Sequence, residues 1–212
     1  MKKITFVLIV ISSLAFTAGA QEVRINTYAN YAFDDSFDSY YNINSFFNGK
    51  IEGGLQWGTG LEYKASDHYG IEILYLRQDT NVPINYYDSG PVSRTLETNI
   101  NYIMLGGLRY AGNDIVEGYG GLLFGAAIFN NEKPTRNEPS TATRLAWGAR
   151  LGANVWASER VGLKIQATIV SAVQSVGGSF YVGSGGSGAA VSTYSTLLQF
   201  TIGGGLVFKV RD

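Results

Sequence analysis

The chain has 212 residues and no cysteine, so neither a disulfide framework nor anchoring through a lipidated N-terminal cysteine is open to it. Removing Lys2 and Lys3 from the 16 basic residues leaves 14 against 17 acidic ones. That mild acidity, with no Lys/Arg cluster, leaves no electrostatic footprint for a nucleic-acid partner.

Met1-Lys2-Lys3, an apolar run from Ile4 to Phe16 and Thr17-Ala18-Gly19-Ala20 form the pattern of a secretory signal peptide. Residues 1–20 are expected to be cleaved, with 21–212 forming one domain. The run is too short to span about 30 Å of hydrocarbon as a helix, so further membrane contact must come from strands. Glycine (27) and tyrosine (14) are plentiful and proline (4) is scarce, which suits long twisted strands with interfacial aromatics.

The first predicted strand, Val23 to Phe33, sets Val23, Ile25, Thr27, Ala29, Tyr31 and Phe33 against Arg24, Asn26, Tyr28 and Asn30. The second, Ile51 to Lys64, alternates most clearly, with Leu55, Trp57, Leu61 and Tyr63 on one face and Gln56, Glu62 and Lys64 on the other. The third runs from Tyr69 through Ile71, Ile73 and Tyr75; its other face mixes Glu72 and Gln78 with Leu74 and Leu76. In the fourth, Leu96, Thr98, Ile100, Tyr102, Met104, Leu108 and Tyr110 are expected outward, with Glu97, Asn99, Asn101 and Arg109 inward. The fifth, near Val116 to Phe129, is apolar on both sides; Glu117 inward puts Leu122, Phe124 and Ile128 outward. The sixth sets Leu145, Trp147, Ala149 and Leu151 against Arg144, Gly148, Arg150 and Asn154. The seventh sets Val161, Leu163, Ile165 and Ile169 against Lys164, Gln166 and Thr168. The eighth, Tyr194 to Val210, sets Leu198, Phe200, Ile202 and Phe208 against Gln199, Thr201 and Lys209.

Short turns begin at Ala65, Ala111 and Ala157, a constant spacing of about 46 residues, and long polar connections lie between them: 34–49, 79–93, 130–143 and 174–193. The predicted fold is all-β, an eight-stranded antiparallel up-and-down transmembrane β-barrel with short periplasmic turns and long extracellular loops. A soluble barrel binding a ligand inside would turn the same faces the other way. Against it stand apolar faces free of Asp, Glu, Lys and Arg, and aromatics near the strand ends at Tyr31, Phe33, Tyr63, Tyr69, Tyr110, Tyr194 and Phe208.

The leader, the eight alternating strands, the hairpin spacing and the segment Glu117-Gly118-Tyr119-Gly120-Gly121-Leu122 together resemble the small outer-membrane β-barrel family of the OmpA transmembrane domain, OmpX and OmpW. The resemblance implies residence in the outer membrane, with outer-membrane lipid and lipopolysaccharide around the barrel. It also implies handling by the outer-membrane assembly machinery, although Phe208 is followed by four further residues where the family often ends on an aromatic.

Arg24, Glu62, Lys64, Glu72, Arg109, Glu117, Lys164 and Lys209 are expected in the periplasmic half of the lumen as an ion-pair plug. An eight-stranded interior is just wide enough to be filled by side chains, and unpaired buried ions cost several kcal/mol each, on the order of the Born penalty after relaxation. The alternative is charges solvated at the rim. In the first long connection, Phe37, Tyr40, Tyr41, Phe46 and Phe47 are candidate contacts for an extracellular partner, or else they extend the aromatic girdle. Asp34, Asp35 and Asp38 resemble a calcium site only in spacing. Two lipid A-modifying enzymes share the architecture but use a histidine near the outer leaflet, whereas His68, the sole histidine, falls in a predicted periplasmic turn. No catalytic, cofactor or metal motif emerges. The expected function is a non-enzymatic structural or surface-interaction role. The alternative readings are an OmpW-like conduit for a small hydrophobic molecule, motivated by Leu74, Leu76, Ile103 and Leu105, and a secreted soluble ligand-binding barrel.

Overall fold

A computed structural model describes residues 22–42, 45–87, 91–131, 141–173, 176–183, 186–193 and 197–211; the segment 1–20 expected to be cleaved lies outside them. Alternating sequence becomes strand throughout: β1 (Glu22–Ala32), β2 (Asp35–Asn42), β3 (Ser45–Ile51), β4 (Gly54–Ser66), β5 (Tyr69–Tyr87), β6 (Pro91–Gly112), β7 (Val116–Asn131), β8 (Thr141–Trp156), β9 (Val161–Ala172), β10 (Val176–Gly183), β11 (Gly186–Thr193) and β12 (Leu197–Arg211). β1, β4, β5, β6, β7, β8, β9 and β12 pair antiparallel in that order. β12 returns to β1, from Val23↔Arg211 to Ala32↔Thr201, and closes the barrel. Closure removes every strand edge from the wall, the condition for β-structure to cross a lipid bilayer.

The connections expected as loops are partly ribbon. β2 and β3 form a hairpin across 35–51, and the upper part of β3 pairs with β5 from Phe47↔Tyr86 to Gly49↔Ile84. β5 and β6 stay paired as far as Tyr87↔Pro91, and β10 with β11 makes a separate hairpin. The strand expected over Ile51 to Lys64 is broken: Ile51 ends β3 and is buried, Glu52 is exposed, and alternation restarts at Gly54. The Asp34 carboxylate fastens this break by accepting from the Gly53 N–H at 2.6 Å and pairing with Lys50 at 2.5 Å. The Lys50 ammonium, and then the Gly53 N–H, hold the Asp34 carboxyl below its ordinary range.

The short turns fall where predicted. In the 112–116 turn Asn113 Oδ1 accepts from the N–H groups of Ile115 and Val116 at 3.0 and 2.8 Å. Gly112 sits there at φ +143°, where a side chain would run into the Val116 carbonyl.

The apolar face points out. Leu55, Trp57, Leu61, Ile73, Phe124, Leu151, Ile165 and Leu198 are exposed, while Arg24, Glu62, Glu72 and Lys164 are buried. This is the inverse of a soluble barrel, and it requires an apolar medium around the wall.

One strand has its faces reversed relative to the sequence expectation. On β6, Thr98, Ile100, Tyr102, Met104, Leu108 and Tyr110 point inward and are buried, whereas Ile103 (51 % exposed), Leu105 (54 %) and Arg109 point outward. Tyr110 therefore belongs to the interior and not to an aromatic girdle. The outward Asn99 and Asn101 lie towards the loop end, where they are satisfied on the outer wall. Tyr75 Oη donates to Asn101 Oδ1 at 2.8 Å, and Asn101 and Asn130 donate to Asn99 Oδ1 at 2.9 and 3.0 Å.

Inside, Leu74, Leu76, Ile100, Tyr102, Met104, Leu123, Ala127, Ala146 and Val170 pack as one apolar cluster. Gln56, Gln78, Gln166, Thr168, Gln199 and Thr201 are buried on the strands around the rest of the lumen.

Candidate functional site

Alternation delivers a charged residue to the interior from β1, β4, β5, β7, β8, β9 and β12, and closure brings these residues together at the short-turn end. The outer layer centres on Glu117. Its carboxylate accepts from Arg24 Nη1 at 2.5 Å, Lys64 Nζ at 2.5 Å and Asn154 Nδ2 at 3.0 Å. Arg24 also pairs with Glu22, which Lys209 meets at 3.3 Å. The Arg24 guanidinium lies 4.9 Å from the Trp156 ring and 5.3 Å from that of Tyr110. These rings cover part of the ion without removing its charge partners.

Deeper, Glu62 and Glu72 face each other in register across β4 and β5, both fully buried. Asn26 Nδ2 bridges them, donating to Glu62 at 2.9 Å and Glu72 at 2.7 Å. Arg24 reaches Glu62 at 3.5 Å and Lys164 reaches it at 4.0 Å. Glu72 is bound by Arg150 and accepts from Tyr28 Oη, and Arg150 also donates to that hydroxyl at 3.2 Å. Lys164 lies over the Tyr119 ring at 4.3 Å, and Tyr119 Oη donates to Gln166 at 2.9 Å. Every carboxylate in this cluster thus has a cationic partner, the condition under which buried charge is tolerated.

Gly60 gives the deep layer its room. A Cβ at that position would run into the Glu72 carboxylate. Gly60→Ala should lower unfolding stability in lipid vesicles by about 1–3 kcal/mol, the usual cost of forcing a methyl into packed space. A neutral urea-unfolding result would mean that Glu72 does not lie over β4.

Of the residues expected in the plug, Arg24, Glu62, Lys64, Glu72, Glu117, Lys164 and Lys209 come together here. Arg109 does not: it lies outside the barrel, 5.9 Å from the Tyr69 ring. Its place in the cluster is taken by Arg150, which reaches Glu72 from three strands away around the ring. Its alternation with Gly148 and Asn154 turns Arg150 inward, but only closure of the barrel brings it to its partner.

Phe37, Tyr40, Tyr41, Phe46 and Phe47 fall on β2 and β3, and their side chains lie outside the described residues. So does the side chain of Asp38, and Tyr194 is likewise outside. Asp34 is taken up by Lys50 and Gly53, and Asp35 accepts from the Leu198 N–H at 2.7 Å. His68 is exposed in the β4–β5 turn.

No protein-family model and no curated protein sequence matches the chain. Solved structures do. Neisserial surface protein A is similar at 13 % identity over 90 % of this chain and 97 % of that one, with a TM-score of 0.53. The outer membrane protein OprG from Pseudomonas aeruginosa gives 14 %, 89 %, 96 % and 0.55. The outer membrane protein AlkL, determined by solid-state NMR in lipid bilayers, gives 10 %, 92 %, 94 % and 0.53. At such identities the likeness is one of fold, and the chain has the closed eight-stranded antiparallel architecture of the small outer-membrane β-barrels.

Proposed function

We propose that the chain is an exported, non-enzymatic outer-membrane barrel, closed at its periplasmic end by the buried ion network and presenting its long connections as a surface for extracellular contacts. Export rests on the leader at residues 1–20. The observation that carries the reading is the pairing of opposites across one wall: bulky apolar side chains outside, and mutually bonded charges inside. A barrel of this width filled by its own side chains is a structural support and not a channel. The outer face needs lipid, and the β2–β3 and β5–β6 ribbons carry the chain beyond it.

The test is electrophoresis of the purified protein with and without boiling, followed by recording in planar bilayers. The native barrel should resist SDS, change mobility on boiling and show no steady conductance. Glu117→Ala removes the carboxylate that Arg24, Lys64 and Asn154 share, while Arg24 keeps Glu22 and Glu62. It should lower unfolding stability in vesicles and still show no steady conductance, because the deep layer and the apolar cluster continue to fill the lumen. A protein that stays in solution without detergent, or a wild-type barrel that conducts steadily, would sink the proposal.

A second reading, a conduit for a small hydrophobic molecule, keeps one observation in its favour: the apolar interior around Leu74, Leu76, Tyr102 and Met104. Ile103 and Leu105 face outward and do not belong to that interior. Recovery of a stoichiometric apolar compound from purified barrel would move the assignment to this reading.

A further inference from the structure

The outer wall is not covered evenly. At the turn end of β7 the outward positions are Gly118 and Gly120, whose neighbours in register are Ala111 and Arg109 on β6 and Ala153 and Leu151 on β8. Leu122 bounds this strip above, the Leu151 side chain leans over Gly120 from β8, and opposite Leu122 a Cβ added to Gly107 would meet nothing within 4 Å. The result is a shallow groove of about 610 Å³ open along the outer wall. From Gly118 to Leu122 it runs about 13 Å at the usual rise of a strand.

Arg109 stands at the edge of this groove, three residues before β6 ends in a short turn. It is exposed, its guanidinium rests near the Tyr69 ring, and among the described residues no carboxylate lies within ion-pair distance of it. The interior arginines, by contrast, are each bound to carboxylates. A cation on the lipid-facing wall is costly unless it reaches the headgroup level. The planar guanidinium matches a phosphate diester, and Tyr69 marks the same interfacial depth.

We propose that this groove binds one glycerophospholipid of the periplasmic leaflet, the phosphate held by Arg109 and an acyl chain running from Gly120 past Ala149 towards the bilayer centre. The inference rests on the membrane reading above. The apolar floor and the unpaired cation at its headgroup end are complementary to that amphiphile. They are not complementary to a second copy of the chain, which in two-fold packing on this face would bring two Arg109 cations together.

Native mass spectrometry of the folded barrel in detergent tests the site, with dioleoylphosphatidylglycerol as probe and dioleoylglycerol as its phosphate-free counterpart. Wild type should retain one phosphatidylglycerol and much less dioleoylglycerol. Arg109→Gln should weaken retention about tenfold, the loss of one charge-assisted contact. Ala149→Phe, an exposed position on the β8 side, fills the groove without touching Arg109 and should weaken it similarly. Arg160→Gln, in a short turn, should leave it unchanged.

Equal retention by wild type and Arg109→Gln, or equal retention of the two lipids, would overturn the site. So would a wild-type dimer that Ala149→Phe dissociates. Mobility with and without boiling, run on each variant, separates the two levels of inference. A heat-modifiable barrel without lipid preference overturns the site alone, whereas a protein soluble without detergent overturns the membrane reading and the site with it.

Discussion

Arg150→Met should lower the unfolding free energy of the barrel in lipid vesicles by about 3–5 kcal/mol, the cost of leaving one member of a buried ion pair alone. Arg150 is fully buried and binds Glu72 and Tyr28 together. Without it the Glu72 carboxylate keeps its donors from Asn26 and Tyr28 but loses its nearest cation. The double variant Arg150→Met/Glu72→Leu should recover most of that loss, because apolar replacement of a whole buried pair is often close to neutral. The non-additivity of this cycle is the measured coupling. Urea titration from both the folded and the unfolded side supplies the comparison. An Arg150→Met loss below about 1 kcal/mol would place the pair in solvent, where such bridges are worth little, and the plug would then be a rim of hydrated charges.

The same residues show what local pattern does and does not carry. A period of two fixes which side chains share a face, and on β1, β4, β9 and β12 the faces differ enough in polarity that inside and outside follow at once. On β6 they do not. Its central outward residues Ile103 and Leu105 are as apolar as the inward Ile100, Tyr102 and Met104, so the sequence reading took its direction from the polar ends, Asn99, Asn101 and Arg109. Those residues lie near the boundaries of the apolar belt, where an outward polar side chain meets headgroups or other polar groups, and so they report depth and not face. Arg150 illustrates a second limit. Its inward orientation is local information, but its partner Glu72 is 78 positions away in the chain and meets it only across the closed lumen. The break at Glu52-Gly53 is a third case: the alternation of composition continues through it while Asp34 and Lys50 fasten the chain in a new phase.

The reversed face of β6 carries the other large expected effect. Leu105 lies on the outward side near the middle of the barrel-forming part of β6, opposite Phe124 of β7 and Ile73 of β5. Leu105→Arg therefore puts a guanidinium in hydrocarbon and should cost about 2–4 kcal/mol of folding stability in vesicles, the range for a cation near the bilayer midplane. Arg109→Leu, on the same face but at the short-turn boundary, should change stability by less than about 1 kcal/mol, since charge costs little at the interface. With the faces the other way round, Leu105 would point into the lumen and Arg109 into the ion cluster. Both changes would then be damaging: Leu105→Arg would bury a cation without a partner, and Arg109→Leu would strip a buried carboxylate of its cation. The size of the Arg109→Leu loss therefore separates the two orientations, and urea unfolding of both variants in one lipid composition measures it against Leu105→Arg.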